Sequence, residues 1–186
     1  MNSLRVGVES WIIQDGNYPD FRAGQEARFA MQFGPNPQPA HGAGAPSLNY
    51  LAGAMYDATG RIVFTAADAW VCDFGVLAYT AGEPPSGTTV GSCVAGEIYL
   101  SIDPFDYFET FCKLPGMPSL FYNFSIRHIW LETTPWVEDV DASGRRFTRR
   151  QHGGPSFREV QQTDAWKDDG GFAHYVLECE HLGRAV

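Results

Sequence analysis

The sequence predicts an all-β protein, specifically an antiparallel β-barrel of roughly eight strands with one short helix. Apolar and polar residues alternate over several runs, most clearly over residues 95–103 and 27–33. The 20 glycines and 12 prolines supply turns between these runs, and no helical pattern alternates with them as it would in a parallel α/β sheet. Closure of the OB or lipocalin type would remove exposed sheet edges, and a β-sandwich is the rival architecture.

The strand-like runs follow one another along the whole chain. We predict strands at 5–13, 27–33, 51–57, 61–65, 69–80, 95–103, 121–132, 157–162 and 172–182. The sequence Asp-Ala-Thr-Gly at residues 57–60 predicts a turn that joins two of these runs as a hairpin.

Residues 103–113 are the best helix candidate. Asp103 is a suitable N-cap, Pro104 suits the first turn, and Asp106 and Glu109 suit the positive end of the helix dipole. The segment is short and aromatic, so we expect it to cover one end of the barrel.

Residues 1–186 are predicted to form a single β-barrel domain with two irregular features. Residues 34–49 form a Pro/Gly-rich loop, which we interpret as a connection. Residues 138–155 form a charged hairpin in which acidic residues precede an arginine cluster and pair with it across the strands. Residues 139–144 imitate the start of a calcium-binding loop, but the twelfth position is Arg150 where that loop requires Glu, so a hairpin turn is the better interpretation.

The bulk composition narrows the classes of function. The net charge of −9 argues against nucleic-acid binding because the protein repels phosphate backbones. We find no leader sequence and no apolar run long enough to span a membrane, so we expect a cytoplasmic protein without a membrane partner. No cofactor or metal is predicted, because the pair Cys179 and His181 has no second ligand pair with zinc spacing.

Ionisable residues in the middle of strand-like runs are the main functional signal. They are Glu9, Arg28, Asp73, Glu97, Arg127 with His128, and His174 with Glu178. A charge within a strand either faces water or lies among polar partners. We choose Asp73, Glu97, Arg127 and His128 as the candidate catalytic set, since neighbouring carboxylates and bases can divide acid and base roles. The alternative interpretation is an exposed face or an ion pair that fixes strand register.

Aromatic residues supply the candidate binding walls. We expect a largely apolar small molecule in the barrel mouth, bound with or without acid–base or conformational catalysis. Its predicted walls are Trp11, Trp70, Tyr99, Tyr122, Phe124 and Trp130.

Two other functions stay open. A protein-interaction module would use the aromatic segment 103–113 together with the arginine hairpin. Single-stranded nucleic-acid binding on an OB-like face is the third hypothesis, against which the net charge argues. The sequence does not decide whether the protein is an enzyme. It does not decide the oligomeric state either, and a homodimer is one of the open states.

Overall fold

The computed structural model describes residues 3–40, 42 and 44–184, with no side-chain description for Arg184. His41, in the predicted loop 34–49, lies outside the described residues. Strands and helices follow in this order: β1 (Leu4–Glu9), α1 (Ser10–Gln14), β2 (Glu26–Phe29), β3 (Met31–Gly34), β4 (Gln38–Pro39), β5 (Ser47–Ala52), β6 (Met55–Thr65), β7 (Ala69–Asp73), β8 (Leu77–Ala81), β9 (Cys93–Ile102), α2 (Asp106–Glu109), β10 (Tyr122–Glu132), β11 (Trp136–Val140), β12 (Arg146–Arg150), β13 (Phe157–Val160) and β14 (His174–Arg184). Short 3-10 helices cover Phe111–Lys113 and Asp168–Gly171.

The predicted all-β barrel is confirmed, and its closed part has five strands. These strands lie in the order β9-β3-β8-β7-β6, and pairing of β6 with β9 closes the ring. The same sheet continues from β9 through β1, β14 and β10 to β13, so the barrel has an open extension. Two of the pairings, β1 with β9 and β3 with β8, are parallel.

Large apolar side chains fill the core. Trp70 is fully buried, and the ring of Phe33 packs edge-on against both Trp70 and Phe74 at centroid distances of 5.0 and 5.1 Å. In the extension, Phe29 stacks on Phe124 at 4.5 Å. The close packing of aromatic rings accounts for much of the apolar area that this fold removes from water.

The predicted turn at residues 57–60 is wrong. Strand β6 runs through these residues without interruption, and the turn lies instead at Gly53, whose φ is +56°. Gly60 has a packing role, because a Cβ there would lie 2.6 Å from the ring of Phe74 and would also overlap Cys72. The glycine therefore permits close approach inside the barrel rather than a change of chain direction.

The predicted strand 5–13 is also wrong beyond Glu9. The chain turns there into α1, which buries Ile12 and Ile13. Ser10 fixes this helix, since its amide donates to the carbonyl of Ala173 and its hydroxyl donates to the carbonyl of Gly171, both at 2.8 Å. Trp11 consequently points outward from the helix and is exposed.

A short helix and a charged hairpin lie near their predicted positions. The helix is shorter than predicted, and its N-cap position is Phe105 rather than Asp103. Asp103 still accepts hydrogen bonds from the amide of Tyr107, in the first turn, at 3.0 Å and from the hydroxyl of Tyr79 at 2.6 Å. Strands β11 and β12 form the charged hairpin as a separate two-stranded sheet, with Asp139 and Arg149 paired at 2.5 Å across it.

In the described part of the chain, no helix combines the length and apolar character needed to cross a membrane.

Candidate functional site

One face of the barrel extension carries polar side chains, while the other face is packed on the core. In β1, the side chains of Leu4, Val6 and Val8 are buried in the core, and the residues between them belong to the opposite face. Residues of β14 pair with these positions, so that Glu9 lies opposite His174. We call the face opposite to the core the outer face.

Tyr99 lies on the outer face because it alternates with the buried residues Ile98 and Leu100 of β9. Gly7 makes room for it, since a Cβ at residue 7 would overlap the Tyr99 hydroxyl and part of its ring. The phenol therefore lies directly over the backbone of β1 and reaches toward β14.

Three side chains from three strands form a hydrogen-bonded series on this face. The hydroxyl of Tyr99 is hydrogen-bonded to Nε2 of His174. Nδ1 of the same imidazole lies 3.0 Å from Oε2 of Glu132, at the end of β10. When His174 is neutral and carries its proton on Nδ1, it donates to Glu132 and accepts from Tyr99.

Glu132 is held by further partners. Its carboxylate lies 4.0 Å from Nε of Arg150, and Arg150 also pairs with Asp169 and donates to the carbonyl of Thr134. The hydrogen bond to His174, more than any other contact, lowers the pKa of Glu132. The Glu132 carboxylate is thus ionised at every pH at which a glutamate with an ordinary pKa is ionised. Its hydrogen bond orients the imidazole of His174.

A cleft of about 490 Å³ opens beside this series. Strand β1, α1 and the segment before β14 form one side, and the β11–β12 hairpin forms the other. Its lining comprises Glu9, Ser10, Trp11, Gln14, Tyr99, Glu132, Trp136, Arg150, Gly171, Phe172, Ala173 and His174.

The rim of the cleft is aromatic and partly exposed. Trp11 is 44% exposed, Trp136 is 45% exposed and Phe172 is 74% exposed. The indole of Trp11 donates to Glu9 at 2.8 Å, and the guanidinium of Arg150 lies 4.1 Å from the ring centroid of Trp136. Aromatic walls with a few convergent polar groups are typical of ligand sites.

A smaller cleft of about 350 Å³ shares Glu9, Trp11 and Tyr99 with the first. Its other lining residues are all uncharged and include Gln32 and Ser101. Tyr99 therefore contributes to two adjoining concave surfaces.

The phenol of Tyr99 stays protonated. Burial raises its pKa most, and the negative charges of Glu9 and Glu132 raise it further. Phenolate chemistry is disfavoured, whereas a neutral phenol can accept one proton from a ligand while it passes its own to His174. The imidazolium formed by that transfer would lie beside the Glu132 carboxylate.

Only part of the predicted binding wall lies in this cleft. Tyr99 and Trp11 line it. Trp130 lies on the outer face and is half-buried, with the guanidinium of Arg5 5.6 Å from its ring centroid.

The other predicted wall residues belong to the core. Phe124 stacks on Phe29, and the Tyr122 hydroxyl accepts a hydrogen bond from the amide of Leu77 at 2.7 Å. Trp70 is fully buried, and its indole N–H has no hydrogen-bond partner among the described residues. Trp70, Phe33 and Phe74 fill the closed barrel, and Phe29, Phe124 and Tyr122 fill the core under the extension, so the cleft lies outside both.

Among the described residues, the four predicted catalytic residues form no hydrogen bond or ion pair with one another. Asp73 accepts from the amide of Gly75 at 2.8 Å, as in a turn, and Glu97 is exposed on β9. Arg127 pairs with Glu180, and His128 lies 2.6 Å from Glu159. These two pairs are exposed and bridge neighbouring residues of the sheet, as the alternative interpretation of a register-fixing ion pair expects.

Sequence reasoning did not select His174, Glu132 or Arg150 for the site. The sequence predicts His174 and Glu9 as mid-strand charges, whereas Glu9 ends β1 and His174 begins β14. Strand pairing is needed to place them opposite each other. Glu132 ends its strand, and Arg150 was assigned to the hairpin alone. The available signal was the number of ionisable residues in strand-like runs, which does not specify partners.

The described residues contain no group of three or more His, Cys, Asp or Glu side chains arranged to hold a metal ion. Comparison of the chain with protein-family models, with curated proteins and with solved structures finds no match. The functional argument therefore rests on the geometry of the cleft.

Proposed function

We propose that this protein binds a small molecule in the cleft beside Tyr99 and acts on it by general acid–base catalysis. The hydrogen-bonded series Tyr99–His174–Glu132 at the cleft wall is the observation that carries the proposal. Its members come from β9, β14 and β10, so rigid strands hold the series in position.

The proton transfer follows from the resting hydrogen bonds. When His174 carries its proton on Nδ1, the Tyr99 hydroxyl donates a hydrogen bond to Nε2 of His174, which leaves lone pairs of the phenol oxygen for a ligand proton. A bound ligand gives a proton to Tyr99 as the phenol proton moves to His174, and Glu132 stabilises the imidazolium. Charge is balanced by the ligand anion that forms, and reversal of the transfer returns the proton to the product. General base assistance of this kind contributes about 10²–10⁴-fold to a rate.

The four free cysteines support the cytoplasm as the location of this activity, because oxidising compartments favour disulfides.

The proposal is tested by an NMR fragment screen on protein that carries a nitrogen isotope label, so that amide and indole N–H signals are followed. We expect hits to shift the indole N–H of Trp11 and the amides of Tyr99 and Ala173, and acidic hits to move a proton onto Nε2 of His174. Tyr99→Phe should weaken binding of hits by about five- to tenfold through loss of one hydrogen bond.

Tyr50→Phe is the matched control. Tyr50 is also a partly exposed tyrosine with a hydrogen-bonded hydroxyl, but its partner is Arg5, and it lies outside the cleft. Hits that shift residues elsewhere, or an equal loss of affinity in both variants, would refute the cleft as the binding site.

One observation favours protein binding as a second function. Phe108 of the predicted aromatic segment is 52% exposed, whereas Tyr107 and Phe111 are buried. Arg145 and Arg146 of the hairpin are exposed, although Arg146 lies 4.0 Å from Glu138, whereas Arg149 and Arg150 are engaged in closer and less exposed ion pairs. A partner that protects the Phe108 amide, but no cleft amide, from hydrogen exchange would support this alternative.

A further inference from the structure

The charges that line the cleft are unequally matched. Its basic residues are Arg150 and His174. Arg150 is already paired with Asp169 and close to Glu132, and His174 is hydrogen-bonded to Glu132. Glu9 accepts one hydrogen bond, from the indole of Trp11, and no basic group in the described part of the chain forms an ion pair with it. The cleft therefore presents a carboxylate that lacks a cation.

The aromatic rim adds a second attraction for cations. A cation above an indole face is stabilised by the ring quadrupole, more strongly for Trp than for Tyr or Phe. Trp136 already has the guanidinium of Arg150 over its ring, whereas Trp11 has no such cation among the described residues. The hydrogen bond from Trp11 to Glu9 holds the indole and the carboxylate side by side.

We propose that the ligand of this cleft carries an organic ammonium group, which binds over the face of the Trp11 ring and beside the Glu9 carboxylate. The inference rests on the proposed function, since it specifies the ligand class of the same cleft. The carboxylate supplies charge, the ring supplies a face that tolerates methyl groups on nitrogen, and the protein's charge of −9 attracts cations at long range. Tyr99 lines the same cleft and would face the uncharged part of the ligand.

Choline and its uncharged carbon isostere, in which carbon replaces the nitrogen, form the decisive pair of probes. Their shapes match, so a difference in affinity reports the charge. In NMR titrations at low ionic strength we expect choline to shift the Trp11 indole N–H, and to bind about tenfold more tightly than the isostere. Added salt should narrow that difference.

Two glutamate variants give the matched control. Glu9→Gln should remove most of the preference for choline, whereas Glu97→Gln makes the same charge change on an exposed strand position outside the cleft and should retain it. Trp11→Leu should weaken the binding of choline by about tenfold.

The outcomes separate this inference from the proposed function. Equal affinity for both probes, with shifts at Tyr99 and Ala173, would overturn the ammonium assignment and leave the cleft as a site for neutral ligands. A preference for choline that Glu9→Gln and Glu97→Gln reduce equally would also overturn it, because the attraction would then be long-range only. The proposed function itself has a separate test. It fails if no hit of the fragment screen shifts the NMR signal of a cleft residue.

Discussion

At the scale of single residues, Gly7 decides whether the candidate site can form. Its missing side chain leaves the space that the Tyr99 hydroxyl occupies over β1. We predict that Gly7→Ala displaces this hydroxyl from His174 and lowers the free energy of unfolding by about 1–3 kcal/mol through overpacking.

Urea unfolding in a double-mutant cycle measures this coupling. The cost of Gly7→Ala should fall in a Tyr99→Leu background, because the shorter side chain removes the overlap with the phenol oxygen. An equal cost in both backgrounds would mean that residue 7 affects stability independently of Tyr99.

The lowered pKa of Glu132 predicts how the stability of the protein depends on pH. Because its pKa is lowered by His174, its ionised form is favoured by folding. The stabilisation is present above its ordinary pKa of 4.5, and it is lost as the pH falls through the lower value of the folded protein.

The measurement is urea unfolding of the wild type and of Glu132→Gln over a range of acidic pH. The wild type should be the more stable above pH 4.5, and the difference should shrink as the pH falls further. A difference that stays constant with pH would contradict a role for the ionised carboxylate.

At the scale of secondary structure, β6 shows what a local pattern can and cannot predict. The sequence Asp-Ala-Thr-Gly has turn composition, but these residues of β6 pair with β9 on one side, and residues 57–59 also pair with β5 on the other, so this pairing overrides the local preference. We predict that Gly60→Ala lowers the free energy of unfolding by about 1–3 kcal/mol, because the added methyl group overlaps Phe74 and Cys72.

Gly154→Ala is a suitable control for that variant. A Cβ at residue 154 has no atom within 4 Å, so the substitution should be close to neutral in thermal unfolding. If Gly60→Ala were equally neutral, the close approach of β6 to β7 would have room that the structure does not show.

The same contrast explains how much of the site was predictable. Local signals identified Asp103 as a partner of the first helical turn, the turn of the charged hairpin, and Glu9 and His174 as ionisable residues of strand-like runs, since each depends on residues close in sequence. The predicted mid-strand position of Glu9 and His174 is wrong, because Glu9 ends β1 and His174 begins β14. Which side chains become hydrogen-bond partners depends on the register between β1, β14 and β10, and these strands are far apart in the chain. Alternation indicates that Tyr99 and Trp70 each lie on one face of a strand, but only the assembled sheet shows which face is the core.

At the scale of the whole molecule, the hairpin β11–β12 is separable from the barrel. It forms its own two-stranded sheet, and its ends are close, because the amide of Gln151 donates to the carbonyl of Pro135 at 2.9 Å. By contrast, β14 pairs with both β1 and β10 and buries Tyr175 and Leu177. We therefore predict that folding depends on the last strand and not on the hairpin, whereas the cleft takes lining residues from both.

Replacement of residues 136–150 by a short Gly-Ser linker tests this division. The shortened chain should keep cooperative unfolding and its β-type circular dichroism, and should lose about 1–3 kcal/mol with the contacts of Arg150 to Asp169 and Thr134. A chain ending at residue 173 should not fold. Because the hairpin supplies Trp136 and Arg150 to the cleft, the shortened protein should bind cleft ligands more weakly while its barrel stays intact. Unfolding of the shortened chain would instead make the hairpin part of the cooperative core, and unchanged binding would confine the site to the wall formed by β1, β9 and β14.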